Sequence, residues 1–269
     1  MNSILSALAY SCPLILCSLG ALFTEYAGCL ALFLDGLVSF SAFLNFSFTV
    51  ATGSPVYGTI LACLSTVTVT LLCSIVVEKW RANRFIAAIA LNLLFSAMTS
   101  CLSWACFGTR GVLAADLFKF SAGTARAAAL TVTTAFSALA VIFLRYSRHG
   151  LYVRIAGSDA DVLQAKGVNP CNIRTLSWGL AALYGSLAGT LLTLRLCSFV
   201  PNISSGRGWM ALAAVFLGKK KPLRIVAAVI IFCLADIFAA TIQNYIQGIP
   251  SSFLISLPYL VSLLLILIK

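Results

Sequence analysis

The chain has 269 residues, of which 61% are hydrophobic and only 9% are charged. Soluble domains carry about 25% charged residues, because a soluble surface needs charge to stay dispersed. This composition, with a mean hydropathy of +1.03, excludes a soluble enzyme, a disordered protein and a nucleic-acid module, and it leaves a polytopic membrane protein.

The apolar segments predict the fold class directly. A bilayer core of about 30 Å needs roughly 20 apolar residues in helical conformation. The sequence therefore predicts an all-α, polytopic transmembrane helical bundle of about eight to nine membrane segments, which form one domain over 1–269. The first segment lacks a basic n-region and an A-x-A site, so we expect it to be retained as a helix. In chain order the candidates are 4–23, 28–50, 58–77, 85–106, 127–144, 176–196, 209–217 with its approach, 225–242 and 252–268.

The net charge of +11 has an explanation in membrane topology. Twelve of the 18 basic residues fall in the segments 78–84, 145–175 and 218–224. Because Lys and Arg accumulate in cytoplasmic loops of membrane proteins, we expect these three segments to face the cytoplasm. Nucleic-acid binding is not expected, since no soluble face interleaves basic and aromatic residues.

Because the last two basic segments are expected on the same side of the membrane, the chain between them must cross the membrane and return. One span, 176–196, leads out, so 197–217 must return, although it contains Pro201, Asn202, Gly206 and Gly208. Irregular backbone survives at membrane depth only when protein shields it or when it lines a watery cavity. We therefore predict a broken or re-entrant helix near 197–217, as is typical of a transport pathway.

A short capped helix is predicted in the longest polar segment. Ser158 or Asp159 can cap its N-terminus, Gly167 suits a left-handed C-cap, and Pro170 is expected to keep the helix from resuming. The segment is either an ordinary connecting loop or a peg that docks into a cytoplasmic partner.

Enzymatic chemistry is not expected in this chain. The ten cysteines include no CxxC and there is one histidine, His149, so neither a zinc site nor a disulfide framework is indicated. The sequence also lacks the G-x-x-x-x-G-K-[ST] motif by which many proteins bind ATP phosphates. We expect no catalytic residue, no metal ligand and no cofactor bound by the chain itself.

Several motifs resemble those of the permease subunits in the branched-chain amino acid, ribose and nucleoside group of ABC importers. The most specific is the block SSGRGWMALAAVFLG at 204–218. The start of the chain is similar to the simple-sugar and nucleoside branch of that family. The supporting stretches are LGALFTEYAG at 19–28, LDG at 34–36, NRFIAAIALN at 83–92, Thr99, Gly108, GSLAG at 185–189, LAD at 234–236, GIPS at 248–251 and LPY at 257–259.

The resemblance implies a mechanism and a set of partners. A second permease subunit would complete the pathway, cytoplasmic ATP-binding subunits would carry ATP and Mg²⁺, and an extracytoplasmic binding protein would deliver the substrate in the bacterial inner membrane. A coupling helix at about 157–170 would then dock on the ATPase through Gly157, Asp159, Asp161, Lys166, Gly167 and Asn169.

The branch resemblance implies a nucleoside, with a purine nucleoside as first candidate, or a simple sugar as the substrate. Branched-chain amino acid uptake is the close alternative, and an ATP-independent carrier is a more distant one. The early motif departs from the usual Arg, Asn, Gly and Glu of the branch at Tyr26, Ala31, Phe33 and Asp35, which implies either an unusual substrate or less substrate contact by this subunit.

Polar residues within the apolar segments are the candidates for pathway or structural roles, because burying a charge in a membrane costs about 2.5 kcal/mol or more. Asn92 is expected either to hydrogen-bond a neighbouring helix or to contact a sugar hydroxyl. Asp236 is expected to pair with Arg195 or Arg207, and Arg207 to pin the broken helix. The candidates are Glu25, Asp35, Asn92, Ser205, Arg207, Trp209 and Asp236.

Overall fold

A computed structural model describes residues 2–115, 122–245 and 260 of the chain, and this part is a helical bundle with one short pair of strands. Seven of its helices are long and apolar enough to cross a membrane. The expected span 252–268, except Leu260, and the motifs at 248–251 and 257–259 lie outside the described residues. The elements are α1 (Asn2–Tyr26), α2 (Leu34–Thr52), α3 (Pro55–Lys79), α4 (Arg84–Phe107), β1 (Leu113–Ala114), α5 (Ala122–Tyr146), α6 (Arg148–Ser158), α7 (Ala160–Ala165), α8 (Pro170–Leu196), β2 (Ser198–Phe199), α9 (Arg207–Leu217) and α10 (Pro222–Tyr245).

The core of the bundle is formed by α1, α2 and α8, whereas α3, α4 and α5 expose most of their apolar side chains. A Cβ on Gly185 would lie 2.9 Å from side-chain carbons of Leu34 and Leu37, and a Cβ on Gly189 would clash with Ser41. The small residues of α8 therefore let α2 approach closely. The GxxxG spacing serves packing within this chain.

The predicted interruption at 197–217 is confirmed. Helix α8 ends at Cys197, which has a φ of +52°, and β2 then pairs antiparallel with β1. Turns follow up to Gly206, and α9 has only 11 residues. At 1.5 Å per residue α9 rises about 16 Å, which is half of a typical hydrocarbon core. Its N-terminus therefore lies deep within the bundle.

The three basic segments meet at one end of the bundle, which we call the basic end. The Lys220 ammonium lies 3.1 Å from a carboxylate oxygen of Glu25 at the end of α1. Gly28 packs against Gly157, and a single cavity is lined by Arg81, Arg84 and Gln164. Their common location agrees with one sidedness for all three segments.

Two predicted boundaries are wrong, at Pro170 and at the start of α2. Pro170 does not keep the helix from resuming but is the first residue of α8, because its fixed φ suits that position. The Asn169 side chain caps this helix by accepting a hydrogen bond from the Cys171 amide at 2.9 Å. The short helix expected between Asp159 and Gly167 is confirmed as α7, and a separate helix, α6, precedes it. Helix α2 begins at Leu34 rather than residue 28, because Gly28, with a φ of +74°, lies in a non-helical turn after α1.

Candidate functional site

The N-termini of α2 and α9 meet inside the bundle. The carboxylate oxygen Oδ1 of Asp35 accepts hydrogen bonds from the Ser204 hydroxyl at 2.6 Å and from the Gly208 amide at 3.2 Å. The amides of a first helical turn have no partner in their own helix, and a side-chain oxygen is their usual acceptor. Asp35 in α2 therefore caps a different helix, α9, and its negative charge is favourable at that terminus.

Close approach of the two backbones requires glycine at this point. A Cβ on Gly208 would lie 2.7 Å from the Cα of Asp35, a distance that real Cβ atoms do not show. Gly206, which precedes α9, has a φ of +79° that other residues rarely adopt. The Gly-Arg-Gly sequence thus gives both the turn and the contact.

The first turn of α2 is itself capped from a third helix. The Asn92 side-chain oxygen, in α4, accepts a hydrogen bond from the Gly36 amide at 2.6 Å. Asn92 therefore contacts a neighbouring helix in this structure. We call the group Asp35, Asn92, Ser204, Arg207 and Gly208 the capped centre.

Arg207 contacts the turn that precedes its own helix. Its guanidinium donates to the carbonyl oxygens of Ile203 at 3.1 Å and Ser204 at 3.2 Å, and to the Tyr10 hydroxyl at 3.4 Å. Arg195 stacks on the ring of Tyr10, and its guanidinium carbon lies 4.5 Å from the ring centroid. Arg207 thus ties the irregular segment and α9 to α1.

The pairing expected for Asp236 is not formed as a direct ion pair. Asp236 is half-buried in α10. Among the residues that the structure describes, neither Arg195 nor Arg207 makes a salt bridge with it. Both guanidiniums are directed to other partners, which are the Tyr10 ring and the backbone carbonyls.

Two further candidates lie at the edge of the centre. Ser205 is exposed, has a φ of +47° and donates to the Asn202 carbonyl at 3.1 Å. Trp209 is 45% exposed on the surface of α9. The serine that reaches Asp35 is Ser204, which the sequence reasoning did not single out, because both neighbours lie in the same polar turn and only the fold orients one inwards.

A cavity of about 260 Å³ with several hydroxyl-bearing residues in its wall adjoins the capped centre on the side away from the basic end. We call it the hydroxyl cavity. Ser39, one helical turn beyond Asp35 in α2, contributes to its wall. The other lining residues come from α4, from the loop after α4 and from the segment before α9, and they are Ser96, Thr99, Ser100, Ser103, Arg110, Phe199, Pro201 and Asn202.

The spacing of the α4 hydroxyls is the signal by which sequence reasoning could have found this cavity. Residues 96, 99, 100 and 103 follow the i, i+3, i+4, i+7 pattern of one helix face. Such a face is unusual in a helix of otherwise apolar composition, where the remaining exposed side chains include Leu93 and Trp104.

The basic end holds the residues predicted to couple to an ATPase. The Tyr26 hydroxyl donates to the Lys220 carbonyl at 2.5 Å, which joins the end of α1 to the turn between α9 and α10. A second small apolar cluster, made by Ala27, Val153, Ala156, Leu163 and Ile173, seats α6 and α7 on the bundle. Glu25 therefore contacts Lys220 at the basic end, away from the capped centre.

The predicted coupling residues do not form one continuous helix. Gly157 lies in α6 and packs against the turn after α1. A Cβ added to Gly157 would lie 2.7 Å from the Gly28 amide nitrogen. The Asp159 carboxylate caps α7 by accepting from the Asp161 amide at 3.0 Å, and Gly167 has the predicted left-handed φ, at +74°. All six predicted coupling residues are nevertheless exposed, namely Gly157, Asp159, Asp161, Lys166, Gly167 and Asn169.

Comparison with known proteins identifies the family. The model of the family described as "Branched-chain amino acid transport system / permease component" matches residues 3–268. The chain belongs to this permease family. As a member it is a multi-pass membrane protein and a transport component.

Two relatives of this permease match over nearly its whole length, and a third matches over about half of it. The guanosine ABC transporter permease protein NupQ of Bacillus subtilis (strain 168) is 22% identical over 96% of this chain and 89% of its own length. The nucleoside ABC transporter permease protein NupC of Lactococcus lactis subsp. cremoris (strain MG1363) is 25% identical with the same coverage. The ribose import permease protein RbsC of Escherichia coli (strain K12) is 30% identical over 54% of this chain and 46% of its own.

A solved structure shares the fold of this permease. The complex described as PsaBC from Streptococcus pneumoniae with Fab aligns with a TM-score of 0.55 over 96% of this chain and 89% of that one. At 16% sequence identity this likeness concerns the fold alone.

Proposed function

We propose that this permease forms part of the translocation pathway for a nucleoside, with a purine nucleoside as first candidate, or a simple sugar, in an ABC importer. The observation that carries the proposal is the full-length similarity to permeases named for guanosine and nucleosides. The capped centre supports it, because an interrupted helix shielded by protein is how membrane transporters accommodate irregular backbone at depth.

Transport energy would come from separate ATP-binding subunits, which carry the ATP and Mg²⁺. Helices α6 and α7 are the proposed docking element, since they project polar residues at the basic end while Leu163 anchors them to the bundle. The tie between Lys220 and the end of α1 links this element to α9. A movement of α6 and α7 would thereby reach the capped centre through α1 and α9.

Two more partners complete the proposed importer in the bacterial cytoplasmic membrane. A second permease subunit would cover the hydroxyl-bearing face of α4, where Ser96 and Ser100 are exposed and would otherwise face lipid. An extracytoplasmic binding protein would deliver the substrate at the end that carries β1 and β2.

Uptake by a reconstituted importer tests this proposal. The permease would be co-expressed with its ATP-binding subunits and second permease, placed in proteoliposomes with its binding protein, and supplied with labelled guanosine, ribose or leucine. We expect ATP-dependent uptake of guanosine or ribose and none of leucine. Uptake of leucine alone would establish the amino acid alternative, and uptake that persists without ATP would establish an ATP-independent carrier.

A paired variant tests the docking element separately. Asp159→Lys together with Gly167→Pro should remove both caps of α7 and abolish copurification of the ATPase and uptake. The control is Ser65→Ala, which removes a hydroxyl on α3 that bonds the Leu61 carbonyl of its own helix. Copurification and uptake that both persist in the paired variant would refute the docking role.

A further inference from the structure

We infer that the hydroxyl cavity binds the hydroxyl groups of a sugar or ribosyl moiety, with Ser39 as its central contact. The inference rests on the proposed function, and it assigns the substrate contact within that pathway to named residues. Geometry favours this position, because the cavity lies directly beside the capped centre, one helical turn from Asp35.

Ser39 is a buried residue whose hydroxyl oxygen stays accessible from the cavity and lacks a partner among the described residues. Its residue is 5% exposed and lines the cavity, and within residues 2–115 and 122–245 its hydroxyl makes no hydrogen bond. A hydroxyl that is accessible and has no protein partner keeps both its proton and its lone pairs for a bound molecule. A ligand hydroxyl in the cavity would supply the missing bond.

The hydroxyls of α4 define which chemical groups the ligand must present. Thr99 donates to the Phe95 carbonyl at 2.7 Å, Ser100 to the Ser96 carbonyl at 3.3 Å and Ser103 to the Thr109 carbonyl at 2.8 Å. Each hydroxyl has one proton but two acceptor lone pairs. With their protons already engaged, these oxygens are free to accept, so the matching ligand is one rich in O–H donors.

The same arrangement discriminates between ligand classes. A polyol offers several O–H donors to Thr99 and Ser100 and an acceptor to Ser39. The side chain of a branched-chain amino acid offers none of these, and it would leave the Ser39 hydroxyl unpaired, which is how a site that hydrogen-bonds a substrate hydroxyl rejects an analogue without one. The volume of about 260 Å³ is below the usual range for drug-sized ligands and suits one sugar ring.

Uptake of guanosine and its monodeoxy analogues tests the contact. Initial rates would be measured in the complete importer with the binding protein saturated by guanosine or by 2′-, 3′- or 5′-deoxyguanosine. Ser39→Ala should slow guanosine uptake about three- to tenfold, as expected for loss of one hydrogen bond. For one analogue it should cause no further slowing, because that analogue already lacks the partner hydroxyl.

Two additional variants keep the test independent of folding. Thr99→Val preserves side-chain shape while removing a hydroxyl of the cavity, and it should also slow guanosine uptake selectively. Thr68→Val is the matched control, since Thr68 makes the same kind of bond to the Leu64 carbonyl on an exposed face of α3. It should leave every rate unchanged.

The outcomes separate this inference from the proposed function. Equal slowing of guanosine and all three analogues by Ser39→Ala would show a merely structural role and overturn the inference, as would unchanged rates. If the unaltered importer takes up neither guanosine nor ribose, the proposed function itself fails.

Discussion

The capped centre and the basic end use the same residue types for different purposes. In the centre, Asp35 caps a helix from another part of the chain, whereas at the basic end Asp159 caps its own short helix, α7. Water can replace a lost cap at an exposed helix end but not within the membrane. Polar residues at membrane depth therefore fix the relative positions of helices, while those at the surface shape local segments.

Gly208→Ala should have the largest effect, because the added Cβ would meet backbone atoms of Asp35 that cannot move aside. We expect a loss of about 3 kcal/mol in the free energy of unfolding, the upper part of the range for overpacked sites. Thermal unfolding in detergent would measure it. Gly111→Ala is the control, since its Cβ would meet only the Thr109 hydroxyl at 3.3 Å; equal stability of the two variants would contradict the close contact.

Asp35→Ala should have the second-largest effect on stability. It removes the acceptor of the Ser204 hydroxyl and the Gly208 amide, and loss of a helix cap costs about 0.5–2 kcal/mol of stability. The unfolding midpoint in detergent should fall clearly. Asp35→Asn keeps an oxygen at the same place and should recover part of the loss; a variant with alanine that unfolds like the native chain would show that the cap is dispensable.

Asn92→Ala and Asn83→Ala together compare a cap inside the bundle with a cap at the basic end. Loss of the bond to the Gly36 amide should cost about 0.6–2 kcal/mol, the range for polar contacts between membrane helices. Asn83→Ala removes a local cap from the Phe85 and Ile86 amides at the exposed start of α4. Because water can replace the latter, its unfolding midpoint should shift less, and the reverse order would break the comparison.

Asp159→Ala should have the smallest effect on global stability. The cap of an exposed six-residue helix contributes about 1 kcal/mol locally, so the unfolding midpoint should hardly change. Copurification of the ATPase should nevertheless fall if α7 docks as proposed. Asp159→Asn, which keeps a capping oxygen, should restore it, and a large drop in the midpoint would mean that α7 is part of the core.

Local patterns were sufficient for much of the fold. Apolar length located the described spans, and the Gly-Arg-Gly turn with Pro201 marked the broken segment that α9 terminates. Boundaries failed where two readings of one residue compete, as at Pro170, which ends one helical pattern and begins α8. The sequence pointed to Ser205 rather than Ser204, because both serines lie in the same polar turn and only the contact with Asp35, 169 positions away, distinguishes them.

The sequence by itself determined that this is a helical membrane protein with one interrupted helix and a basic end, because hydrophobic length, charge distribution and turn residues act locally along the chain. Only the tertiary structure decided that Asp35 caps α9, that Asn92 caps α2, and that the α4 hydroxyls and Ser39 share a cavity. These contacts join residues far apart in the chain, Asp35 and Gly208 being 173 positions apart. Their physical reason is that a helix end inside a membrane must find its hydrogen-bond partner in another part of the protein.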